Sequence, residues 1–553
     1  MSRTTPIKLA LLAGASALSL ALAACGGATS TASPSSSGGT PVRGGTIVYG
    51  ADREPTCLDP HNLGDMPQTY VSRQYLDSLV SELPDGRAVP WLATSWTITP
   101  DGKHYTFKLK QGVRFTDGTP FDAAAVQANI KQILDPATQS STDLIYLKPY
   151  YQSTDVIDAH TVRINLKRPY SPFLDVLAQA FLGIESPKAM ARGLRANCQS
   201  PVGTGPFVVR RWLHGQEVDL ARNPDYDSAP ANAKHQGPAY LDGITWKFLK
   251  DNSVRYSAVT GGEASIIFNI PPEDEAAARA NPSLQVLRFV HSGNPNNFTL
   301  NTSHAPFDDA RVRQALLYGS NAGAAVRSAY LGVFPYAAGP LSSGTPDYSP
   351  AYENAFPYDV KKANALLDAA GWSGRDAAGY RTKDGRELSA RFVYSSDPGD
   401  TPPADQTLYQ DIQAAEKQIG FHVILTPQPQ LTFYATFQNP KAYEAVNSYW
   451  NSPTPAVLYI VFSTESLRTG GFNNSAIVSD PQLDAILLRA AATTDRAEQK
   501  TLYDQAQAIA SSSAWQLRLY PIQTRLAISS KLKDVWVEPS EGEPVLQDAW
   551  EQR

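Results

Sequence analysis

The sequence predicts an α/β fold built in more than one lobe, on three observations. At 553 residues the chain exceeds what a single hydrophobic core usually organises. Its first third carries short alternating strands joined by turn residues. Its later part repeats a helix–glycine–strand order of the kind α/β lobes use. A hydrophobic content of 42% with 18% charged residues is that of an ordinary globular body.

In chain order, residues 26–40 consist of Gly, Ala, Ser, Thr and Pro, cannot bury apolar surface, and read as a flexible leash. Order is expected from Gly44-Gly45-Thr46-Ile47-Val48-Tyr49-Gly50, a β-type run bounded by glycines. Trp96-Thr97-Ile98 meets the turn Pro100-Asp101-Gly102, and Tyr105-Thr106-Phe107-Lys108-Leu109 alternates on the return. Thr161 to Leu166 alternates likewise, and Tyr380 to Tyr394 reads as a further hairpin around Asp384-Gly385. Asp308 or Asp309 can cap a helix with Val312, Ala315, Leu316 and Gly319 on one face. Asp359 can cap another, with Ala363, Leu366, Leu367 and Ala370 inward and Gly371 as terminator. Leu408, Ile412, Ala415 and Ile419 form a third stripe, ended by Gly420 and followed by the strand-like Phe421 to Leu425. Asp480-Pro481 opens a fourth helix carrying Leu483, Ile486, Leu487 and Ala490. No internal repeat of 20–50 residues is present.

Residues 1–24 read as a leader. Arg3 and Lys8 supply positive charge, and residues 9–24 supply an apolar core too short to span a bilayer. Leu22-Ala23-Ala24-Cys25 resembles the lipobox of bacterial lipoproteins, which implies a diacylglyceryl group on Cys25, cleavage before it and an extracytoplasmic body anchored by lipid. The alternative is an ordinary secretory signal. Losing Arg3 and Lys8 takes the formal charge from −5 to −7. A mildly acidic chain with no basic block argues against a nucleic-acid partner, and no second apolar stretch approaches the length of a membrane span. With Cys25 lipidated, Cys57 and Cys198 remain, and an oxidising compartment favours a disulfide between them. It would close a loop of roughly 140 residues, rated at about 4–5 kcal/mol by the chain-entropy model.

Five spaced segments, in order, resemble the solute-binding proteins of peptide and nickel ABC importers. They are Glu54-Pro55-Thr56-Cys57-Leu58-Asp59-Pro60-His61; Trp91 to Trp96 with Gly112 to Phe121; Pro201-Val202-Gly203-Thr204-Gly205-Pro206-Phe207; Phe307 to Leu316; and Ala369-Ala370-Gly371-Trp372. As structure, Asp117-Gly118-Thr119-Pro120 is turn chemistry, Gly203 and Gly205 allow close approach, and Arg311 and Arg313 lie on an amphipathic helix. The resemblance implies a two-lobed periplasmic-binding-protein-like clamp with an extra subdomain, mixed sheets, flanking helices and a hinge that closes over a solute. The implied layout is a lipoprotein signal at 1–24 and a lipidated Cys25 with linker at 25–43. Lobe I then comprises 44–83, 200–297 and 517–553, its extra subdomain 84–199, and lobe II 298–516. The partners implied are a peptide or small solute and an ABC permease in the cytoplasmic membrane, the protein acting as a monomer.

In peptide-binding members of that family a tryptophan followed three residues later by an aspartate anchors the peptide ammonium. Here the matching segment is Ser448-Tyr449-Trp450-Asn451-Ser452-Pro453, and no acidic residue stands between Glu444 and Glu465. The anchor position holds Pro453, which opens the alternative of a non-peptide solute. Trp450 and Tyr449 are the expected pocket wall. Asp65, in the ligand-side loop Gly64-Asp65-Met66, is the candidate replacement carboxylate, and Tyr520 a further candidate. Phe433, Tyr434, Phe437 and Tyr443 read as core.

No His-Glu-x-x-His, no Gly-x-Ser-x-Gly in the mature region and no phosphate-cradling loop is present. The eight histidines, from His61 to His422, show no close pair at metal-ligand spacing. The expectation is therefore a binding protein without catalytic residues, cofactor or metal. A tethered sensor using the same clamp is the other alternative.

Overall fold

The computed structural model describes residues 39–140, 142–469 and 473–552; the leader, Cys25 and the first part of the leash lie outside the described residues. Among the described residues, no helix is long and apolar enough to cross a membrane.

Thr46–Ala51 is the strand expected from the glycine-bounded run, and it occupies the middle of a seven-stranded mixed sheet. It pairs in parallel with Gly243–Phe248 on one side and Ile266–Phe268 on the other. Glu217–Arg222 and Phe207–Leu213 extend the sheet at one edge, Gln523–Ser529 and Leu284–Val290 at the other. A central strand is covered on both faces, which suits an almost continuously apolar sequence. Register places Tyr49 opposite Trp246, and their rings stack with centroids 3.6 Å apart.

The second large sheet has five strands, in the order His422–Gln428, Ser389–Ser395, Ala445–Asn451, Gly293–Leu300 and Gln516–Tyr520. The helices Ala310–Gly319, Val360–Ala369 and Pro403–Ile419 share a core with it. Asp309, rather than Asp308, caps the first of these, accepting from the Arg311 N–H at 2.8 Å. Asp359 caps the second through the Lys362 N–H. Gly420, with φ +82°, ends the third in the left-handed region that a glycine enters without strain. Asp480 caps Pro481–Ala492 as expected.

A four-stranded antiparallel sheet holds the expected hairpin: Ala93–Ile98 and His104–Leu109 pair with Trp96 opposite Phe107, and Thr161–Leu166 adds to the return strand. Its core is continuous with the buried helix Val457–Phe462 and with the apolar faces of Pro481–Ala492 and Arg496–Ser512. Cys57 and Cys198 are joined, with Cα atoms 4.9 Å apart. Gly203 and Gly205 lie against the Tyr75 backbone: a Cβ on Gly203 would sit 2.0 Å from the Tyr75 carbonyl oxygen.

One expectation needs correction. Around Asp384-Gly385 the hairpin is only Arg381–Lys383 against Arg386–Glu387. Its continuation, Ser389–Ser395, leaves for the five-stranded sheet and pairs in parallel with His422–Gln428. Leu388 and Phe392 are fully buried, and a solvent-edge hairpin cannot cover them.

The chain passes between the two large sheets at Val290 to Gly293 and again at Tyr520 to Gln523. The crossings run side by side, the His291 N–H donating to the Ile522 carbonyl at 2.9 Å. Two adjacent extended crossings between sheets are the form a hinge takes.

Candidate functional site

Ligands of open α/β sheets gather beyond the carboxyl ends of the strands. There the strand Thr46–Ala51 delivers Asp52 and Arg53. Arg53 Nη1 donates to Asp400 Oδ1 at 2.9 Å, joining segments 347 residues apart that follow strands of the two large sheets. Asp400 is held in turn, its Oδ2 accepting from Ser395 Oγ and Gln430 Nε2, each at 2.9 Å. Burial works against the charge on Arg53, but Asp52, Tyr449, Asp400 and Asp65 hold its pKa above the usual arginine range. A small crevice bordered by Asp52, Arg53, Pro67 and Tyr70 opens beside it, over Tyr49 and Trp246.

The loop Gly64-Asp65-Met66 reaches the same place. Gly64 adopts φ +85°. Asp65 then caps the helix Met66–Ser72 in a reciprocal capping box: its Oδ1 accepts from the Gln68 N–H at 3.0 Å, and Gln68 Oε1 accepts from the Asp65 N–H at 2.6 Å. The capping bond engages one lone pair and fixes the carboxylate near Arg53. Burial raises the Asp65 carboxyl, with the Arg53 charge opposing. Met66 Sδ accepts from the Tyr449 hydroxyl at 3.6 Å and from Asn451 Nδ2 at 3.4 Å.

Alternation along Ala445–Asn451 explains this pair, since residues 449 and 451 share a face. Trp450 points the other way, donating from Nε1 to the Tyr146 hydroxyl at 3.1 Å and packing on the core of the four-stranded sheet. Tyr146 donates onward to the Asn451 carbonyl at 3.3 Å. Burial pushes the Tyr449 phenol up, with the Arg53 guanidinium opposing. Pro453 follows in a buried loop.

Of the residues singled out from sequence, Gly64, Asp65, Met66 and Tyr449 converge, and Trp450 adjoins them on the opposite strand face. Tyr520 does not join them in any described contact. It lies in the core of the five-stranded sheet, its hydroxyl donating to Asp405 at 2.7 Å beside the Tyr330 hydroxyl. Burial raises Asp405 to about 6. Phe433, Phe437 and Tyr443 are buried core with Tyr434 packed on them. Sequence reasoning missed Arg53, Asp400, Asn451 and Tyr146. Arg53 had a signal, a charge directly after an apolar strand and beside the Glu54-Pro55 segment. Asp400 lies in Asp397-Pro398-Gly399-Asp400, which reads as a turn and conceals its partner.

The assembled groups offer charge-assisted hydrogen bonds of both signs: a guanidinium for a carboxylate, and the Asp400 and Asp65 carboxylates for an ammonium.

Residues 87–467 match the family described as bacterial extracellular solute-binding proteins, family 5 Middle. The glutathione-binding protein GsiB of Pectobacterium atrosepticum is 32% identical over 467 residues, covering 82% of this chain and 84% of that protein. Two of the solved structures that share the fold illustrate it. The oligopeptide-binding protein AppA of Bacillus subtilis, in complex with a nonapeptide, has a TM-score of 0.80 and 21% identity, covering 93% of this chain and all of that one. NikA of Brucella suis, in complex with Fe(III)-EDTA, has a TM-score of 0.77 and 23% identity, covering 91% and 100%. The match spans more than half of the chain, and the two-sheet architecture and its double crossing agree with it: this chain belongs to the bacterial extracellular solute-binding proteins of family 5.

Proposed function

We propose that this protein is the extracytoplasmic binding component of an ABC importer, holding a peptide or peptide-like solute between its lobes and presenting it to a membrane permease without making or breaking a bond. The observation that carries the solute class is the Arg53–Asp400 pair with Asp65 and Tyr449 around it. A solute with a carboxylate and an ammonium can take both charges of this pair in exchange for their mutual contact, and relatives named for glutathione and for oligopeptides agree with such a solute. The exchange also links binding to lobe movement, because Arg53 and Asp400 come from different sheets. Gly64 and Met66 shape the helix start beneath the solute, and Trp450 with Tyr146 bounds it on the far side of the strand. Tyr520 serves the lobe's core. The lobe limits given above, the lipid anchor on Cys25 and a monomeric state belong to the same reading.

Pro453 in place of the aspartate favours one variation, a solute without a free amine, as the chelate bound by NikA illustrates. Isothermal titration with glutathione, a tripeptide mixture and their N-acetylated forms separates the two. The peptide reading expects saturable binding that Arg53→Gln and Asp400→Asn each weaken at least roughly tenfold, as loss of one partner of a hydrogen-bonded charge pair that the solute covers would do. Equal binding of acetylated and free peptides moves the assignment to amine-free solutes. Binding indifferent to both substitutions removes Arg53 and Asp400 from the site.

A further inference from the structure

Beside the Cys57–Cys198 link, and joined to the Asp65 loop by Gln68 Nε2 donating to the Asp59 carbonyl at 3.1 Å, three side chains meet in the interior: Asp59 and His61 from the loop after the first strand, and Glu185 from the segment before the helix Pro187–Met190. All three are fully buried. One ligand atom from each lies within 4.8 Å of the other two. His61 Nε2 faces the Gly183 carbonyl at 2.9 Å. A carbonyl only accepts, so Nε2 carries the proton and Nδ1 presents a bare lone pair. That Nδ1 is buried, makes no hydrogen bond and lies 3.9 Å from Asp59 Oδ1. Glu185 Oε1 is likewise buried without a hydrogen bond.

Glu185 also shares a side-chain hydrogen bond with Asp59, and amide and backbone donors surround both carboxylates. Asn197 Nδ2 donates to Asp59 Oδ2 at 2.8 Å and also to Glu185 Oε2; Gln132 Nε2 donates to Asp59 Oδ2 at 3.1 Å, and the His61 N–H to Asp59 Oδ1 at 2.9 Å. No Lys or Arg forms an ion pair with either carboxylate among the described residues. Three electron-rich atoms thus face one another in the interior, an arrangement that is costly unless a proton or a cation is shared between them.

We propose that Asp59, His61 and Glu185 form a buried site for one divalent transition-metal cation, Zn2+ being the fitting example, which ties the loop after the first strand to the segment around Glu185. The chemistry follows from the donor set. One imidazole nitrogen with two carboxylate oxygens suits a borderline cation, and an imidazole whose other nitrogen is fixed by a backbone carbonyl is the usual support for a metal-bound histidine. Ligand atoms at about 2.0–2.2 Å from a tetrahedral zinc are about 3.3–3.6 Å apart, so atoms that lie within 4.8 Å of one another need to close by at most about 1.5 Å. The histidine spacing did not show this because Glu185 arrives from 124 residues beyond His61 in the chain.

The full-length protein, expressed with ZnCl2 and passed through gel filtration, tests it by elemental mass spectrometry. The expected result is about one equivalent of zinc, falling at least roughly tenfold in Glu185→Gln and in His61→Ala. X-ray absorption at the zinc edge of the unmodified protein gives a readout that does not depend on the variants folding, with one imidazole expected among oxygen donors. Zinc absent from the protein after exposure to ZnCl2, zinc content unmoved by Glu185→Gln, or a spectrum without imidazole scattering overturns the proposal. The pocket is then a carboxylate pair sharing a proton.

Discussion

His291 occupies one of the two crossings between the large sheets, buried, with Nε2 bonded to Thr524 Oγ1 at 2.8 Å and its ring against Gly542. Burial lowers its pKa to about 3, so the folded protein keeps the ring neutral where the unfolded chain protonates it. The folded-state value is depressed, so the stability it contributes is complete above the unfolded value of about 6.5 and declines as pH falls toward 3. Between pH 7 and pH 5 this one residue should cost about 2 kcal/mol. The carboxyls raised by burial, Asp77 and Asp405 at about 6 and Glu538 at about 7, act with the opposite sign, favouring the folded state at low pH. They are common to a His291→Gln variant, so the difference between the two proteins isolates the histidine. Urea unfolding at both pH values should show a shallower pH dependence in the variant; parallel curves would mean that the ring is protonated in the fold. Arg53 is the other residue whose surroundings set its chemistry. Its charge sits in a half-buried place among carboxylates that favour it, which is why removing Asp400 should disturb binding rather than merely trim a surface.

At the scale of elements, local rules account for most boundaries. Asp359, Asp480 and Asp495 each accept backbone N–H bonds at a helix start, and Asp359→Ala should cost about 1 kcal/mol in chemical unfolding while leaving solute affinity unchanged. The glycines of Gly203-Thr204-Gly205 have a different reason: close approach to the backbone at Tyr75, fixed by the Gly205 N–H donating to the Tyr75 carbonyl at 3.0 Å. A methyl group at Gly203 must displace that backbone, and Gly203→Ala should destabilise by at least about 2–3 kcal/mol, read as a lowered denaturation midpoint. A change near zero would show that the segment shifts freely. The strand Ser389–Ser395 marks where local rules stop. Its alternation was legible, but which sheet it enters depends on covering Leu388 and Phe392.

Across the whole molecule, the Cys57–Cys198 bond spans 141 residues and encloses the four-stranded sheet. A constraint on so long a loop acts mainly on the unfolded chain, and reduction should lower stability by about 4–5 kcal/mol with little change in the folded spectrum. Free-thiol titration of the native protein gives the companion check. Other ties are distributed: Arg168 pairs with Glu465 at 2.9 Å and bonds the Tyr459 hydroxyl, linking the region of the four-stranded sheet to the buried helix Val457–Phe462. The crossings at His291 and Ile522, the Arg53–Asp400 pair and the Tyr449–Met66 contact together set how the lobes meet.

The sequence by itself determined what is encoded in adjacent residues. Turn residues, helix caps and apolar periods placed the first hairpin, four helices and the central strand, and five ordered segments identified the scaffold. Oxidising-compartment logic paired the two remaining cysteines. The resemblance also offered Gly64-Asp65-Met66 and Tyr449 as candidates, and the structure brings these residues together. Which charges meet depends on long-range folding. Arg53 and Asp400 are 347 residues apart, and Glu185 stands 124 residues beyond His61 in the chain. Backbone dihedrals and side-chain periods are properties of a few neighbouring residues. An ion pair or a side-chain cluster between distant segments is a property of loop closure and burial over the whole chain, and no local pattern records it.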